Sequence, residues 1–436
     1  MSDRPAILGG TPVRSGKSWP SWPQWDEDER GRLSETLESG AWSSSAGEQS
    51  AAWAREFASF QGARHALPVT NGTHTLEAAL AACGVGEGDE VIVPAITFVA
   101  SASAALAVNA TPVIVDVDPD TVCVDVAAAE AAIGERTRAI VAVHVGGVAC
   151  DLDALEALCA SRGIALIEDC AHAPGSRWRG RGLGTFGAFG SFSFESTKLI
   201  TAGEGGALTC EDEELRRRAW SYANCGRVEG GHWYHHASYG SNFRITEWQA
   251  AVLRAQLGRY PEQLRLREER GAVLDRALSA VPGLRPQAAD ERMDRRARYS
   301  YIVHYDPEEF AGLPLSGIEA ALHAEGIEFG SSYPPLQRLQ LFAAANFEPR
   351  MRDVAPRVPY AELSLPNADR IASSSIWLPH QLLLAGEEDV LEIASALERI
   401  RAHAGRIARR TAAGPVGRRL AGAGDRLAGA FRGRRS

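Results

Sequence analysis

The chain has 436 residues and a formal net charge of −9, with 45% hydrophobic and 23% charged residues. These values are typical of a soluble globular enzyme of two or three domains, and the acidic balance excludes a general nucleic-acid binder. A chain this long buries a large core without disulfides. We therefore interpret its seven cysteines, which show no CxxC pair and no zinc-type spacing, as reduced core residues of a cytoplasmic protein. The N-terminal sequence has no basic stretch followed by an apolar one, so we predict no signal peptide.

The first 40 residues are rich in proline and tryptophan, and we predict that they form an arm lying over the rest of the molecule. Residues 41–275 alternate short apolar runs with helix-like stretches. Continuous apolar strands joined by helices predict an α/β domain with a mostly parallel sheet and helices on both faces. The apolar runs are HALPV (65–69), EVIVP (90–94), PVIVDV (112–117), AIVAVHV (139–145), IALIED (164–169) and GSFSF (190–194).

Residues 91–115 carry no charge, and their length alone would allow a transmembrane helix. Pro94, Asn109 and Pro112 interrupt this segment, and both of its ends are rich in β-branched residues. The pattern therefore favours a buried strand, helix and strand, with no membrane span.

The pattern changes towards the C-terminus. Residues 276–403 contain one strand with polar neighbours (299–306) and two amphipathic helices (315–326 and 387–400), which predict a smaller α+β domain. Residues 401–436 hold ten arginines and one aspartate, a net charge of +9 against −18 for the rest. We predict that 404–436 is a disordered basic tail, with a contact to an acidic partner, to the acidic body of the chain itself or to an anionic surface as the alternative.

Polar residues follow four of the predicted strands. In an open α/β sheet, ligands bind at the carboxyl ends of the strands, so we expect these residues to meet at one rim. They are Thr70-Asn71-Gly72-Thr73, Thr97-Phe98, Glu168-Asp169 with His172, and Lys198 ahead of a GEGG loop.

These groups match the needs of pyridoxal 5′-phosphate (PLP). Gly72 and Thr73 open a helix, whose free N–H groups suit a phosphate. A carboxylate such as Asp169 keeps the pyridine nitrogen protonated, so that the ring can act as an electron sink. The Lys198 amine can react as a nucleophile with the aldehyde of PLP, and the flat ring of His172 can pack on the face of the pyridine.

Five segments carry family signatures in the right order: NGTHTLEAAL, PAITFVAS, IEDCAHAPGS, SFSFESTKLITAGEGGALTC and YGSNFRITEWQAAVLRAQL. Through them the sequence resembles the DegT/DnrJ/StrS-type aminotransferases of nucleotide-sugar and antibiotic biosynthesis, from about residue 18 to about residue 400. The resemblance implies a fold-type I PLP-dependent transferase that works as a homodimer with shared active sites. It also implies that Lys198 forms a Schiff base with PLP, Asp169 pairs with the pyridine nitrogen and His172 stacks on the ring.

The resemblance assigns the phosphate group to residues of both subunits. Gly72, Thr73 and Ser193 would hold it within one chain. Asn242 would reach the phosphate of the neighbouring subunit, and Arg244 beside it is a weaker candidate for the phosphate or the donor carboxylate.

The implied reaction moves an amino group from glutamate or glutamine to a keto-sugar or a keto-cyclitol such as scyllo-inosose. Lys198 would act as base and acid, with ping-pong kinetics. An aromatising enzyme similar to 3-amino-5-hydroxybenzoate synthase is the alternative within the family. A non-catalytic PLP-binding regulator or pathway partner is the alternative of another class, and such a protein would be expected to lose Lys198 or Asp169.

Two further clusters are less informative. His232, His235 and His236 lie close together, but no carboxylate or cysteine completes a metal set, so we predict no metal and interpret the segment as a dimer-interface loop. The tryptophans of SWPSWPQWD (18–26) predict aromatic packing of the arm. Trp42 resembles a family position near the substrate, with core packing as the alternative.

Overall fold

The structure, a computed structural model, describes residues 4–330, 332–343 and 358–413. The strands are β1 (His65–Val69), β2 (Glu90–Pro94), β3 (Thr111–Val115), β4 (Thr137–Val143), β5 (Ala165–Asp169), β6 (Arg177–Trp178), β7 (Arg181–Gly182), β8 (Phe189–Ser193), β9 (Gly206–Cys210), β10 (Leu284–Pro286), β11 (Met293–Arg295), β12 (Ser300–Tyr305) and β13 (Ser375–Pro379). The helices are α1 (Glu27–Ser39), α2 (Gln49–Gln61), α3 (Gly72–Ala82), α4 (Ala100–Ala107), α5 (Val126–Ala131), α6 (Leu152–Arg162), α7 (Glu213–Ala223), α8 (Glu247–Ser279), α9 (Leu315–Ala324), α10 (Pro366–Ser374), α11 (Glu387–Ala402) and α12 (Ala404–Ala413).

A seven-stranded sheet in the order β1-β9-β8-β5-β4-β2-β3 forms the centre of the large domain. Only β9 runs against its neighbours, so β1 points the same way as β8 and the parallel strands. The prediction of a mostly parallel sheet is therefore confirmed. The carboxyl ends of six strands meet at one rim, where the polar residues were expected.

Apolar residues cover both faces of this sheet. In β2, Val91 and Val93 belong to one buried cluster and Ile92 belongs to the other. This alternation explains why the strands read as continuous apolar runs, since each face packs against helices. The uncharged segment folds as β2, α4 and β3, and no helix in the described part of the chain is long and apolar enough to cross a membrane.

The small C-terminal part is built on an antiparallel sheet in the order β10-β12-β13, with α9 and α11 packed in the same apolar cluster. Helix α8 links the two parts, because its 33 residues contact α1 and α2 at one end and α11 at the other. The boundary expected at 275 thus falls inside α8. A third sheet of very short strands, β11-β6-β7, was not predicted, since a two-residue strand carries no detectable alternation.

The N-terminal arm contacts both parts. Arg14 donates to Asp389 at 2.9 Å and to Glu392 at 2.6 Å on α11. Farther along, the Gln24 carbonyl accepts hydrogen bonds from two side chains of α8, Gln256 at 2.7 Å and Arg259 at 2.8 Å. The arm is therefore fixed both before its tryptophan segment and within it.

The described chain ends in α12, where the sequence predicted the start of a disordered tail. That prediction is wrong for residues 404–413, because Ala404 and Ile407 are buried in the apolar cluster of the small domain. A helix with few apolar residues can still pack when those residues share one face. Residues 414–436 lie outside the described residues. All seven cysteines are free thiols.

Candidate active site

The rim of the large sheet encloses a cavity of about 510 Å³. Strands β1, β2, β5 and β8 each end beside it, and the loops that follow supply its lining. Six of the seven predicted site residues lie in this lining: Gly72, Thr73, Asp169, His172, Ser193 and Lys198.

One end of the cavity is the first turn of α3. The Asn71 side chain caps this helix by accepting the N–H of His74 at 2.9 Å. A Cβ atom added at Gly72 would lie 2.6 Å from the Cβ of Ser193, a distance that real carbon contacts do not reach. Glycine therefore allows the helix N-terminus to approach the end of β8, where unpaired N–H groups and two hydroxyls suit a phosphate.

Asp169 lies at the bottom of the cavity and is only 7% exposed. Its Oδ2 accepts the hydroxyl of Ser101 at 3.0 Å, and its Oδ1 accepts the N–H of Ala171 at 3.1 Å. Because Ser101 donates to Asp169, the hydroxyl of Thr97, 2.7 Å away, must donate to Ser101. Burial raises the pKa of Asp169, although these hydrogen bonds and the charge of Lys198 oppose the shift. A buried, oriented carboxylate of this kind favours a cationic ring N–H as its partner.

The imidazole of His172 is buried and neutral. Its Nδ1 accepts the N–H of Gly146 at 3.3 Å, so its Nε2 carries the proton and donates to the Tyr333 oxygen at 3.2 Å. Burial lowers the pKa of His172 well below its ordinary value, and the charge of Lys198 adds to this shift. The ring stacks on Tyr299 with centroids 4.1 Å apart. These contacts fix a flat, uncharged ring in the wall of the cavity.

Lys198 enters the cavity from the loop after β8. Its Nζ lies 4.3 Å from the centroid of the Tyr299 ring. Its backbone N–H donates to the carbonyl of Glu195 at 2.9 Å, and the Glu195 carboxylate accepts the N–H and hydroxyl of Thr197 at 2.9 and 2.7 Å. Burial raises the pKa of Glu195, but hydrogen bonds from Ser196 and Thr197 and the charge of Lys198 outweigh it and hold that pKa below its ordinary value. The loop that carries Lys198 therefore forms a tight turn around the Glu195 carboxylate.

Asn242, Arg244 and Trp42 do not line the cavity of their own chain. Asn242 is exposed, and its Oδ1 accepts the N–H of Arg244 at 3.5 Å. Trp42 is 50% exposed, and its ring lies 5.6 Å from that of Trp248. The expectation that Asn242 reaches a neighbouring subunit stays a prediction.

Four residues with contacts in this site were not identified from the sequence: Ser101, Glu195, Tyr299 and Tyr333. Ser101 lies on α4 and Tyr299 precedes β12, so neither follows a strand end, which was the signal used. Tyr333 comes from the small domain, far along the chain. The position of Glu195 three residues before Lys198 was the one available signal. Thr97, one of the polar residues expected at the rim, is buried at the cavity.

A second polar cluster lies behind Asp169, where donor atoms of His144, Glu168 and Cys170 are within 4.8 Å of one another. His144 accepts the N–H of Cys150 on Nδ1, so its Nε2 donates to Glu168 at 3.2 Å. The Glu168 oxygens also accept three backbone N–H groups, those of Gly184, Phe186 and Gly187. The nitrogen and oxygen atoms of His144 and Glu168 that could bind a metal ion are therefore already engaged in hydrogen bonds. The histidines of 232–236 form no such group among the described residues.

The residues of the cavity fit PLP. The close approach of Gly72 and Ser193 forms a cradle at a helix N-terminus, Asp169 is a buried carboxylate, and Lys198 supplies a primary amine. Together with the sheet topology, this set defines a fold-type I PLP-dependent transferase.

Comparison with known proteins agrees with this class. The family model described as the DegT/DnrJ/EryC1/StrS aminotransferase family matches residues 23–398, and the chain belongs to this family. It is a PLP-dependent aminotransferase, as the family is, and a solved relative is a PLP form.

Three relatives align with this chain over most of the length of both proteins. The L-glutamine:2-deoxy-scyllo-inosose aminotransferase of Streptoalloteichus tenebrarius is 40% identical, over 92% of this chain and 98% of the relative. The 3-amino-5-hydroxybenzoate synthase of Amycolatopsis mediterranei is 39% identical, over 87% of this chain and 96% of that protein. A crystal structure of 3-amino-5-hydroxybenzoic acid synthase is 40% identical, with a TM-score of 0.78 over 89% of this chain and 99% of that one.

Proposed function

We propose that this enzyme transfers the amino group of L-glutamine to a keto-cyclitol of the scyllo-inosose type, with Lys198 as its catalytic residue. The observation that carries the proposal is the common cavity of Lys198, Asp169 and the α3 N-terminus. The similarity to the inosose aminotransferase supports the donor and the acceptor. A non-catalytic regulator would not need the lysine and the buried carboxylate together.

Five residues of the cavity have a proposed role towards the cofactor. When bound, PLP supplies an aldehyde that takes up the amino group and a pyridinium that withdraws electrons. Gly72, Thr73 and Ser193 hold the phosphate group. Asp169 keeps the proton on the pyridine nitrogen, and His172 packs on the ring.

The Lys198 amine does the proton transfer. When the Lys198 amine is free, its Nζ would act as a base beside the α-carbon of the donor. Nζ takes the α-proton, and it returns a proton to the acceptor carbon in the second half of the reaction.

The charges of the cavity favour neutral substrates. Glu195 and Glu204 both line it, and Lys198 is the only lysine or arginine among the described lining residues. Burial raises the pKa of Glu204, and the nearby Glu195 adds to the shift, so the two carboxylates already repel each other. A further carboxylate, such as the side chain of glutamate or the acid of a hydroxybenzoate precursor, would add to this repulsion. The amide of glutamine and the hydroxyls of a cyclitol can instead donate hydrogen bonds to them.

We also propose a homodimer in the cytoplasm, with Asn242 contributing to the partner's site. Three large aromatic residues near Asn242 in the chain, Trp233, Tyr234 and Tyr239, are 68–83% exposed. Exposed large aromatic residues that lie close together are typical of protein interfaces. The free thiols of the chain suit a reducing compartment.

An acceptor panel tests the proposal. The PLP-loaded enzyme receives L-glutamine and either 2-deoxy-scyllo-inosose, a nucleotide-linked keto-sugar or a carboxylate precursor of an aminohydroxybenzoate, and mass spectrometry detects the aminated product. We expect amination of the inosose. Formation of 3-amino-5-hydroxybenzoate, or of an amino-sugar nucleotide, with no aminated cyclitol would refute the proposed acceptor and favour the alternative branch.

A further inference from the structure

The two residues before Lys198 are held by groups from distant parts of the chain. The indole N–H of Trp22 donates to the carbonyl of Ser196 at 3.1 Å. The Nε2 of His380 hydrogen-bonds the carbonyl of Thr197 at 3.0 Å. The hydroxyls of Tyr299 and Thr197 are 3.0 Å apart. The backbone that leads into the lysine therefore has one partner from the arm and one from the small domain, and Tyr299 of the small domain contacts the Thr197 side chain.

A buried arginine determines which way the His380 ring donates. Arg267 is fully buried on α8, and its Nη2 lies 3.1 Å from the Nδ1 of His380. A guanidinium can only donate, so Nδ1 accepts and Nε2 must carry the proton that goes to the Thr197 carbonyl. Burial and the charges of Arg267 and Lys198 lower the pKa of His380 well below its ordinary value, which keeps the ring neutral.

This arginine has no acidic partner among the described residues. Its Nε and Nη1 have no hydrogen-bond partner there, and burial lowers its pKa to about 10. Its guanidinium carbon lies 5.2 Å from the centroid of the Trp22 ring, which in turn meets His380 edge-on at 4.6 Å. Burying unpaired donors is costly, and such exceptions to core packing are expected mainly at functional sites.

We propose that Trp22, His380 and Arg267 are positioning residues that orient the Lys198 side chain by fixing the carbonyls of Ser196 and Thr197. A lysine stem has four rotatable bonds, so its amine is placed well only if the backbone that carries it is fixed. The three residues come from the arm, the loop after β13 and α8. They meet at this point although none of them lines the cavity. The inference rests on the role proposed for Lys198.

Four variants separate positioning from simple packing. Trp22→Phe keeps an aromatic ring but removes the N–H that reaches Ser196, and Trp25→Phe is its matched control in the same arm, where Trp25 is 63% exposed. His380→Ala removes the bond to Thr197, and His380→Gln offers a replacement N–H and an acceptor for Arg267. For each PLP-loaded protein, the measurements are the thermal midpoint, the induced circular dichroism of bound PLP and the single-turnover rate with L-glutamine.

We expect the single-turnover rate to fall roughly fivefold in Trp22→Phe, as one lost hydrogen bond implies. It should fall by about 100-fold in His380→Ala, because the amine is then misplaced. His380→Gln should recover most of this loss, and the glutamine concentration at half-maximal rate should not change. The induced dichroism should fall in parallel with the rate, and Trp25→Phe should match the wild type.

Unchanged dichroism and unchanged rate in Trp22→Phe and His380→Ala, with only a lower thermal midpoint, would overturn the inference in favour of packing. Equal loss in both His380 variants would also overturn it. If the wild type itself binds PLP without a Lys198-dependent absorption band, the proposed role of Lys198 fails instead, so the two failures are distinguishable.

Discussion

Replacing Gly72 by alanine tests the phosphate cradle most sharply. The new Cβ would lie 2.6 Å from the Cβ of Ser193, 3.1 Å from its Oγ and 3.2 Å from its Cα. Carbon atoms in contact are normally about 3.5–4.0 Å apart, so α3 and β8 must separate by roughly 1 Å. Overpacking of this kind costs about 1–3 kcal/mol. If this cost falls on the cradle, the Kd for PLP rises roughly 5- to 150-fold.

The assay is a titration of apo protein with PLP, followed by the absorbance of the bound cofactor. Gly258→Ala on α8 is the matched control, because a Cβ there meets no atom within 4 Å. The double variant Gly72→Ala, Ser193→Gly removes the clashing Cβ and should bind PLP as well as Ser193→Gly alone. A Kd for Gly72→Ala within twofold of the wild type would refute the steric argument, and so would a double variant that shows no recovery.

Three other predictions concern single side chains. Glu195→Gln removes one carboxylate from the cavity, so the ratio of kcat/KM for L-glutamate to that for L-glutamine should rise about tenfold, and an unchanged ratio would contradict the electrostatic argument. Asp169→Asn should abolish turnover yet raise the Tm of the apo protein at neutral pH. Because the pKa of Asp169 is raised in the folded protein, its ionised form lowers the stability at pH values above that pKa, and this penalty vanishes as the pH falls. Equal melting temperatures of the wild-type and Asp169→Asn apo proteins at neutral pH would contradict this prediction. Ile407→Ala on α12 should lower the free energy of unfolding by about 2–5 kcal/mol in denaturant titrations, whereas exposed Arg409→Ala should change it little.

The sequence was sufficient to predict the large sheet and most of the site. Apolar runs marked the strands, and the residues after β1, β5 and β8 were polar at the positions that the rim requires. Because parallel strands end on one side, Gly72, Asp169 and Lys198 could be placed together without any contact information.

The remaining site residues depend on tertiary packing, which local patterns do not encode. Tyr333 reaches His172 from 161 residues away, and His380 reaches Thr197 from 183 residues away. Arg267 lies on α8, and its neighbours Trp22 and His380 come from the arm and the small domain. The burial of Ile407 was missed for the same reason, since a single apolar residue among arginines gives no clear periodicity.

The most direct test of whether Lys198 holds PLP is whether the visible absorption band persists in Lys198→Ala. The wild-type protein loaded with PLP should show a band near the visible edge that L-glutamine removes and 2-deoxy-scyllo-inosose restores. Lys198→Ala should bind PLP yet lack that band, and it should not turn over. If Lys198→Ala keeps the band and responds to L-glutamine as the wild type does, Lys198 is not the residue that holds the cofactor.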